Sequence, residues 1–373
     1  MSFMLPSAPS STRSVVGVAD DLCAALRGES ETLQRAESAV LVVIDGLGAI
    51  NLRSHAGHAR SLTAAMTKKD VAQTVFPTTT AAALTSITTG VWPGEHGLVG
   101  YRVRDPERGV LVNQLSGWET DGLDPLTWQG APTVFERAAA AGRETFAVGL
   151  AAYAHSGFTR ATLRGSRFVP AATPEERVEV AYALAEEHPG SLVYCYLPEV
   201  DKAGHKHGVA SAEWVSALER LDGALSVRVP PRVGVVVTSD HGMVDVPHHR
   251  QVVLEAEHLV GIRHVGGEPR MLHLYSEPDA DMERTTARLR SDLEGAADVV
   301  SREEAVRGGL FGPVVRDEVL ARIGDLLVIA TGVWALYDGT AEDQRNRGMI
   351  GQHGALTPEE TRVPFLRLGA FAS

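Results

Sequence analysis

Long apolar runs are missing from this chain of 373 residues. The nearest approach, Leu326 to Tyr337, is interrupted by Thr331 and Gly332 and falls short of the roughly 18 residues needed to cross a bilayer, so no membrane span is expected. Cysteine is scarce: Cys23 and Cys195 are the only two, too few for a disulfide framework. Cys195 lies inside an apolar run and reads as buried core. Basic residues are in deficit, with 35 Lys and Arg against 47 Asp and Glu and a formal net charge of −12. That balance excludes a general binder of nucleic-acid polymers, which would carry a basic face. It leaves room for a small anionic substrate, because bound metal ions can reverse the local field. The stretch from Met1 to Ser10 lacks the basic-then-apolar order of a secretory signal. A cytoplasmic location is therefore expected, with the first dozen residues loosely held and homo-oligomerisation left open.

What is present is a rhythm of apolar runs and helical patterns. Ser38 to Ile44 is continuously apolar and ends at Asp45-Gly46, as a parallel strand buried on both faces would. Similar runs occupy Thr145 to Leu150, Ser191 to Leu197 and Val233 to Val237. Helical patterns at Thr80 to Thr89, Val134 to Ala141 and Pro174 to Glu187 separate them, and Gly142 and Gly190 close the last two. Alternation of this kind predicts an α/β fold with a largely parallel central sheet flanked by helices. The character changes from Pro247 to Gln344, where Met271 to Tyr275 and Asp325 to Ala330 read as strands and Asp281 to Leu293 as an amphipathic helix. Residues 247–344 are expected to form a small α+β cap or insertion carrying sheet-edge strands. Residues 1–246 and 345–373 would form the core.

The chemistry-bearing residues sit where those strands end. Asp45 follows the first, Asp201 and His205 follow the run ending at Leu197, and Asp240-His241 follows the run ending at Val237. Functional loops of a parallel sheet lie at just these C-terminal ends. Asp201 and His205 are four apart, which places both on one face of a helix. Asp240 and His241 are adjacent, so only an irregular turn could aim both at one centre. Either pair alone reads more readily as a capped turn; their shared position after strands of one sheet favours ligation. His353, in Gly351-Gln352-His353-Gly354, is a further candidate. Imidazole and carboxylate together suit Zn, Mn or Fe better than Ca or Mg. Thr78, Thr79 and Thr80 follow Pro77 and open a helix. The ordinary reading is an N-cap, but a hydroxyl there also gains from the helix dipole, and a metal beside it would favour its alkoxide.

As an ordered set these segments resemble the alkaline phosphatase superfamily, in particular its nucleotide pyrophosphatase/phosphodiesterase branch. The order is Asp45; Pro77-Thr78-Thr79-Thr80; Asp201 with His205; Asp240-His241; and Gly351-Gln352-His353-Gly354, spanning Ala39 to Leu366. The turn from Thr89 to Gly100, Thr-Gly-Val-Trp-Pro-Gly-Glu-His-Gly-Leu-Val-Gly, is also similar. The resemblance implies an alkaline-phosphatase-like fold and two zinc ions, with Mn or Fe as alternatives. Asp201, His205 and His353 would hold one ion, and Asp45, Asp240 and His241 the other, with Thr80 as nucleophile forming a phosphothreonine.

Two positions depart from the branch. Its diesterases carry Asn where this chain has Tyr101, so a phenol rather than an amide would face a phosphoryl oxygen. Its common aromatic residue after the nucleophile is replaced by Ala81, so nucleotide specificity does not carry over. Trp118, Trp128, Tyr153 and Phe158 are candidates for another apolar wall, with core packing as the competing reading. His96 is expected to brace the turn after the nucleophile helix, His207 to face away, and His248 and His249 to lie in solvent. A sulfatase would need a Cys or Ser nucleophile, and a phosphoglycerate mutase of this superfamily a Ser. The expected function is hydrolysis of phosphodiester or pyrophosphate bonds in small phosphorylated molecules. A phosphonate hydrolase, a phosphomonoesterase and a metal-binding protein without turnover remain alternatives.

Overall fold

The structure is a computed structural model that describes residues 13–372; the expectation for the first dozen residues lies outside them. Seven strands form the central sheet, in the spatial order Val71–Gln73, Arg362–Gly369, Val233–Thr238, Ser38–Ile44, Leu192–Leu197, Thr145–Gly149 and Arg167–Pro170. Arg362–Gly369 runs antiparallel to both its neighbours, and the remaining pairings are parallel. The expected largely parallel α/β sheet is therefore present, and the last strand is its one reversal.

The middle strand shows why the sheet is buried on both faces. All seven residues of Ser38–Ile44 are buried. Side chains alternate across a strand, so Val40, Val42 and Ile44 join one core cluster while Ala39, Leu41 and Val43 join another. Full burial of each such side chain contributes about 1.5–3 kcal/mol. Helices close both faces. Pro174–Glu187 brings Val178, Ala181 and Tyr182 to the first cluster, and Thr80–Thr89 brings Ala82, Ala83 and Ile87 to the second. The longer helix starts at a capping box in which Thr173 and Glu176 satisfy each other's backbone amides, a device worth roughly 1 kcal/mol. Cys195 is fully buried, in keeping with its apolar run.

The strands of residues 247–344 do not extend that sheet's edge. Ile262–Glu268, Met271–Ser276, Leu326–Ala330 and Ala297–Ser301 pair with one another as a separate four-stranded antiparallel sheet. Its side chains, including Leu272, Leu274, Val328 and Ile329, fill a third cluster with Trp118 and Phe311. The sheet is tied to the segment after the Thr80–Thr89 helix through buried polar contacts. His273 Nδ1 accepts from Gly324 N–H at 3.1 Å, so its Nε2–H donates to Val99 O at 3.0 Å. The Tyr275 hydroxyl accepts from Arg104 N–H at 2.9 Å. Among the described residues no helix is long and apolar enough to cross a membrane.

Candidate active site

Four segments deliver their side chains to one point beyond the C-terminal ends of the central strands. Asp45 follows Ile44, and Asp240 and His241 follow the strand Val233–Thr238. Asp201 and His205 ride on the helix Glu199–His207, one turn apart as their spacing predicts. His353 comes from the loop after Gly351–Gln352, more than a hundred residues beyond His241. The approach is tight. Gly46 has φ 73°, and a Cβ there would lie 2.9 Å from the Asp201 Cβ, so only glycine lets the two segments meet.

The imidazoles are all oriented in the same way. His205 Nδ1 lies 2.8 Å from Gly351 O, His353 Nδ1 2.8 Å from Thr78 O, and His241 Nδ1 3.1 Å from Gly242 O. A carbonyl only accepts, so each Nδ1 carries the proton and each Nε2 presents a lone pair. Those lone pairs converge: His353 Nε2 and His205 Nε2 are 3.2 Å apart, and the His241 and His353 rings stack at 3.7 Å. The carboxylates point the same way. Asp45 Oδ1, at 3.4 Å, and Asp240 Oδ2, at 3.6 Å, face His241 Nε2, and Asp201 Oδ1 lies 3.4 Å from His205 Nε2 and 4.0 Å from His353 Nε2. All three oxygens are buried without a hydrogen-bond donor.

Unpaired anionic oxygens and nitrogen lone pairs facing one another are costly in the absence of a cation. Burial first, then the charges of Asp240 and Asp201, raises the Asp45 carboxyl well above its ordinary value. Burial likewise pushes Asp240 up to about 7. His353 is lowered well below the imidazole range by burial and by His241 and His205. Burial and like-charge repulsion account for these shifts, and a cation among the carboxylates would relieve both. The donor set fits a divalent metal, with Asp201, His205 and His353 as one group and Asp45, Asp201 and His241 as a second. Asp201 reaches both groups, and Asp240 stands at the edge of the second.

Thr80 lies beside them. Its Oγ1 is 3.2 Å from His241 Nε2, a lone pair to which the hydroxyl can donate. Thr80 is the first residue of the helix Thr80–Thr89; Thr79 occupies the cap position, and its side chain makes no capping bond. The three hydroxyls thus do different things. Thr78 Oγ1 accepts from Gly354 N–H and donates to Ala355 O, both at 2.9 Å, fastening the loop that carries His353. Thr80 opens onto two hollows. One, of about 390 Å³, is walled by Leu84, Trp118, Val148, Tyr153, Phe158 and Tyr196. The other, of about 360 Å³, is lined by Tyr101, Arg102, Glu268, Asp338, Gln352 and His353.

Among the aromatic residues left open by sequence, Trp118, Tyr153 and Phe158 wall the first hollow, which corrects core packing as their whole role. Trp128 stays in the core beneath the Arg322 guanidinium. Tyr101 lines the second hollow. His96 is fully buried, with Nε2 2.9 Å from Ser86 Oγ and Nδ1 accepting from Leu98 N–H; it braces the turn as expected. His207 sits 3.9 Å from Glu213, away from the centre, and His248 and His249 are exposed. Sequence reasoning missed Tyr196, whose hydroxyl donates to Asp45 Oδ2. Its signal was a polar tip at the end of an otherwise apolar strand.

The central sheet and the converging Asp and His side chains define an α/β protein with a candidate metal centre. The sequence profile of the type I phosphodiesterase / nucleotide pyrophosphatase family matches residues 39–356, and the chain belongs to that family. Human ectonucleotide pyrophosphatase/phosphodiesterase family member 1 is 26% identical over 183 residues, 45% of this chain; the match spans only 19% of that relative's length. Phosphonoacetate hydrolase from Sinorhizobium meliloti, solved with phosphonoformate, superposes with a TM-score of 0.69 at 21% identity, covering 90% of this chain and 91% of that one. An inactive variant of murine ectonucleotide pyrophosphatase/phosphodiesterase 5, solved with AMP, gives 0.67 at 18% identity, covering 90% and 88%. At these identities the two structures establish a shared fold.

Proposed function

We propose that this family member hydrolyses phosphodiester or pyrophosphate bonds in small molecules, with Thr80 as the nucleophile. The observation that carries the reading is the position of Thr80 Oγ1, beside the converging ligands and at the junction of two separate hollows. A phosphodiester has a substituent on either side of phosphorus; a phosphomonoester would leave one hollow idle.

Thr80 Oγ1 would release its proton to solvent and form a bond to phosphorus as the opposite phosphorus–oxygen bond breaks. The leaving oxygen takes a proton from solvent. Water then attacks the phosphothreonine, restores the hydroxyl and releases the phosphate product. Divalent ions held by Asp201, His205 and His353 and by Asp45, Asp240 and His241, two zinc ions by resemblance, would supply the Lewis acidity that lowers the hydroxyl pKa and spreads the developing charge. The chain's own contribution is positional. The rigid start of the Thr80–Thr89 helix fixes the hydroxyl, and three backbone carbonyls fix the imidazoles, which is the support that ligand geometry needs.

The test compares the metal-loaded protein on bis-p-nitrophenyl phosphate, p-nitrophenyl phosphate and phosphonoacetate. The diester should be preferred over the monoester by about tenfold or more in kcat/KM. Preference for the monoester or for phosphonoacetate would replace this reading by a phosphomonoesterase or a phosphonate hydrolase. No turnover of any of the three, with metal bound, would make the protein a binder.

A further inference from the structure

One buried acid in the second hollow has no part in the ligand set. Glu268 ends the strand Ile262–Glu268 and lines the cleft that Thr80, Tyr101 and His353 share. It is 7% exposed. Its Oε2 accepts the Tyr101 backbone N–H at 2.8 Å. Its Oε1 is buried and has no partner.

The surroundings make room for this side chain and withhold a counter-charge from it. Gly354 has φ 132°, and a Cβ there would fall 2.8 Å from the Glu268 Cγ, so the residue after His353 must be glycine for the acid to fit. Arg270, two positions along, is fully buried but already committed. It forks onto Glu360 with two bonds of 2.8 Å and gives two further N–H groups to Gly332 O and Trp334 O. Glu360 itself faces Glu268 as a like charge. Across the cleft stand Asp338, Asp343 and Arg102, with Asp343 paired to Arg345 at 2.7 Å; Asp201, His205 and His353 close its inner end. Burial, with Glu360 adding and the Tyr101 N–H opposing, pushes the carboxyl up to about 8. Burial thus favours the uncharged acid near neutral pH. Oε2 already accepts a hydrogen bond, so the proton resides on the unpartnered Oε1. An ionised carboxylate would repel a phosphoryl group here, whereas an acid can donate to one.

We propose that Glu268 is a substrate-binding residue whose Oε1–H donates a hydrogen bond to a non-bridging phosphoryl oxygen of the substrate at Thr80. This rests on the phosphoryl-transfer reading above and adds a donor supplied by the second sheet. The proton stays on Glu268; no transfer is involved.

The test uses wild type, Glu268→Gln and Glu268→Ala, each loaded with the same metal, with kcat/KM on bis-p-nitrophenyl phosphate measured from about pH 6 to about pH 9.5. Glutamine keeps an uncharged donor at this position and should stay within about fivefold of wild type at low pH. Alanine should lose about 10–100-fold, the scale of one donor to a developing oxyanion. The ratio of wild type to Glu268→Gln cancels the ionisations the two share, and it should fall as pH rises through about 8, by roughly tenfold per unit. A glutamine variant as weak as the alanine variant, with wild type gaining activity at high pH, would make the carboxylate the working form and overturn the proposal. A ratio that ignores pH would reduce Glu268 to packing. If Glu268→Ala fails to fold, the glutamine comparison decides alone. A second readout, calorimetric titration of the same proteins with inorganic phosphate at the two pH extremes, should give the same ranking without turnover. If wild type binds phosphate yet cleaves no diester, the functional reading fails while the ranking still decides Glu268. If wild type does not bind phosphate, both fail.

Discussion

The two hollows that meet at Thr80 are similar in volume and differ in the parts of the chain that build them. The first is walled by Leu84, Val148 and Tyr196 from the central sheet and its helices, with Trp118 and Phe158 from nearby segments. The second draws Glu268, Asp338 and Gln352 from the second sheet and the stretch leading to His353. The difference teaches that the reacting centre and its flanks are separately built. The converging Asp and His side chains hang from segments that the core holds in place, one flank is cut from the central core, and the other is assembled largely from residues far along the chain, Glu268, Asp338 and Gln352 among them. Selectivity for the two substituents of a diester could then change on one side without disturbing the other.

The largest effect that would break this picture belongs to the shared point. Thr80→Ala should lower kcat by about 10⁴-fold or more for every diester, whichever hollow its larger group prefers. Bound metal, measured by elemental analysis, should be retained. An unchanged rate would move the nucleophile elsewhere and remove the reason for comparing the hollows at all. Next comes the ligand cluster, which belongs to neither flank. Asp240 holds its proton up to about 7, and a carboxyl oxygen must be free of it to ligate. Affinity for Zn²⁺ or Mn²⁺ should therefore weaken as pH falls below about 7, by roughly tenfold per unit or more, since Asp45 is raised in the same direction. Calorimetric titration between about pH 5.5 and pH 8 reads this directly, and a flat profile would mean that neither acid ligates. The smallest effect separates the flanks. Tyr153→Ala removes an aromatic wall from the apolar hollow only. It should raise KM for bis-p-nitrophenyl phosphate about 5–20-fold with kcat nearly constant, the cost of one lost ring contact. An equal loss for a diester of two small polar alcohols would show that the hollow does not discriminate.

Asp45, Asp201, Asp240 and His241 were legible because each sits just past a strand whose composition advertises burial on both faces, whereas His353 and Thr80 were legible through their short motifs. Val-Ile before Asp45 and Val-Thr-Ser before Asp240 combine an apolar run with a motif at its end. The helix carrying Asp201 and His205 obeys its spacing. The second sheet was less legible. Met271–Ser276 and Leu326–Ala330 read as strands, yet nothing local states that they pair with each other across fifty residues rather than with the central sheet. Pairing is a long-range property that alternation alone does not encode. The cavity aromatics were ambiguous for a related reason: composition marks Trp118 and Phe158 as apolar but cannot say whether a face meets atoms or empty space. Glu268 was invisible because its interest lies in the absence of a partner, and absences appear only once neighbours are known.

The path of the chain through the ligand set has a consequence for synthesis. Asp45 is made early and His353 late, with the whole second sheet translated between them. A nascent polypeptide leaving the ribosome therefore exposes an incomplete ligand set for most of its elongation. The group of Asp45, Asp201 and His241 is synthesised by residue 241, whereas the group of Asp201, His205 and His353 closes only when that late loop docks, so a metal held by the second of these would report on finished folding.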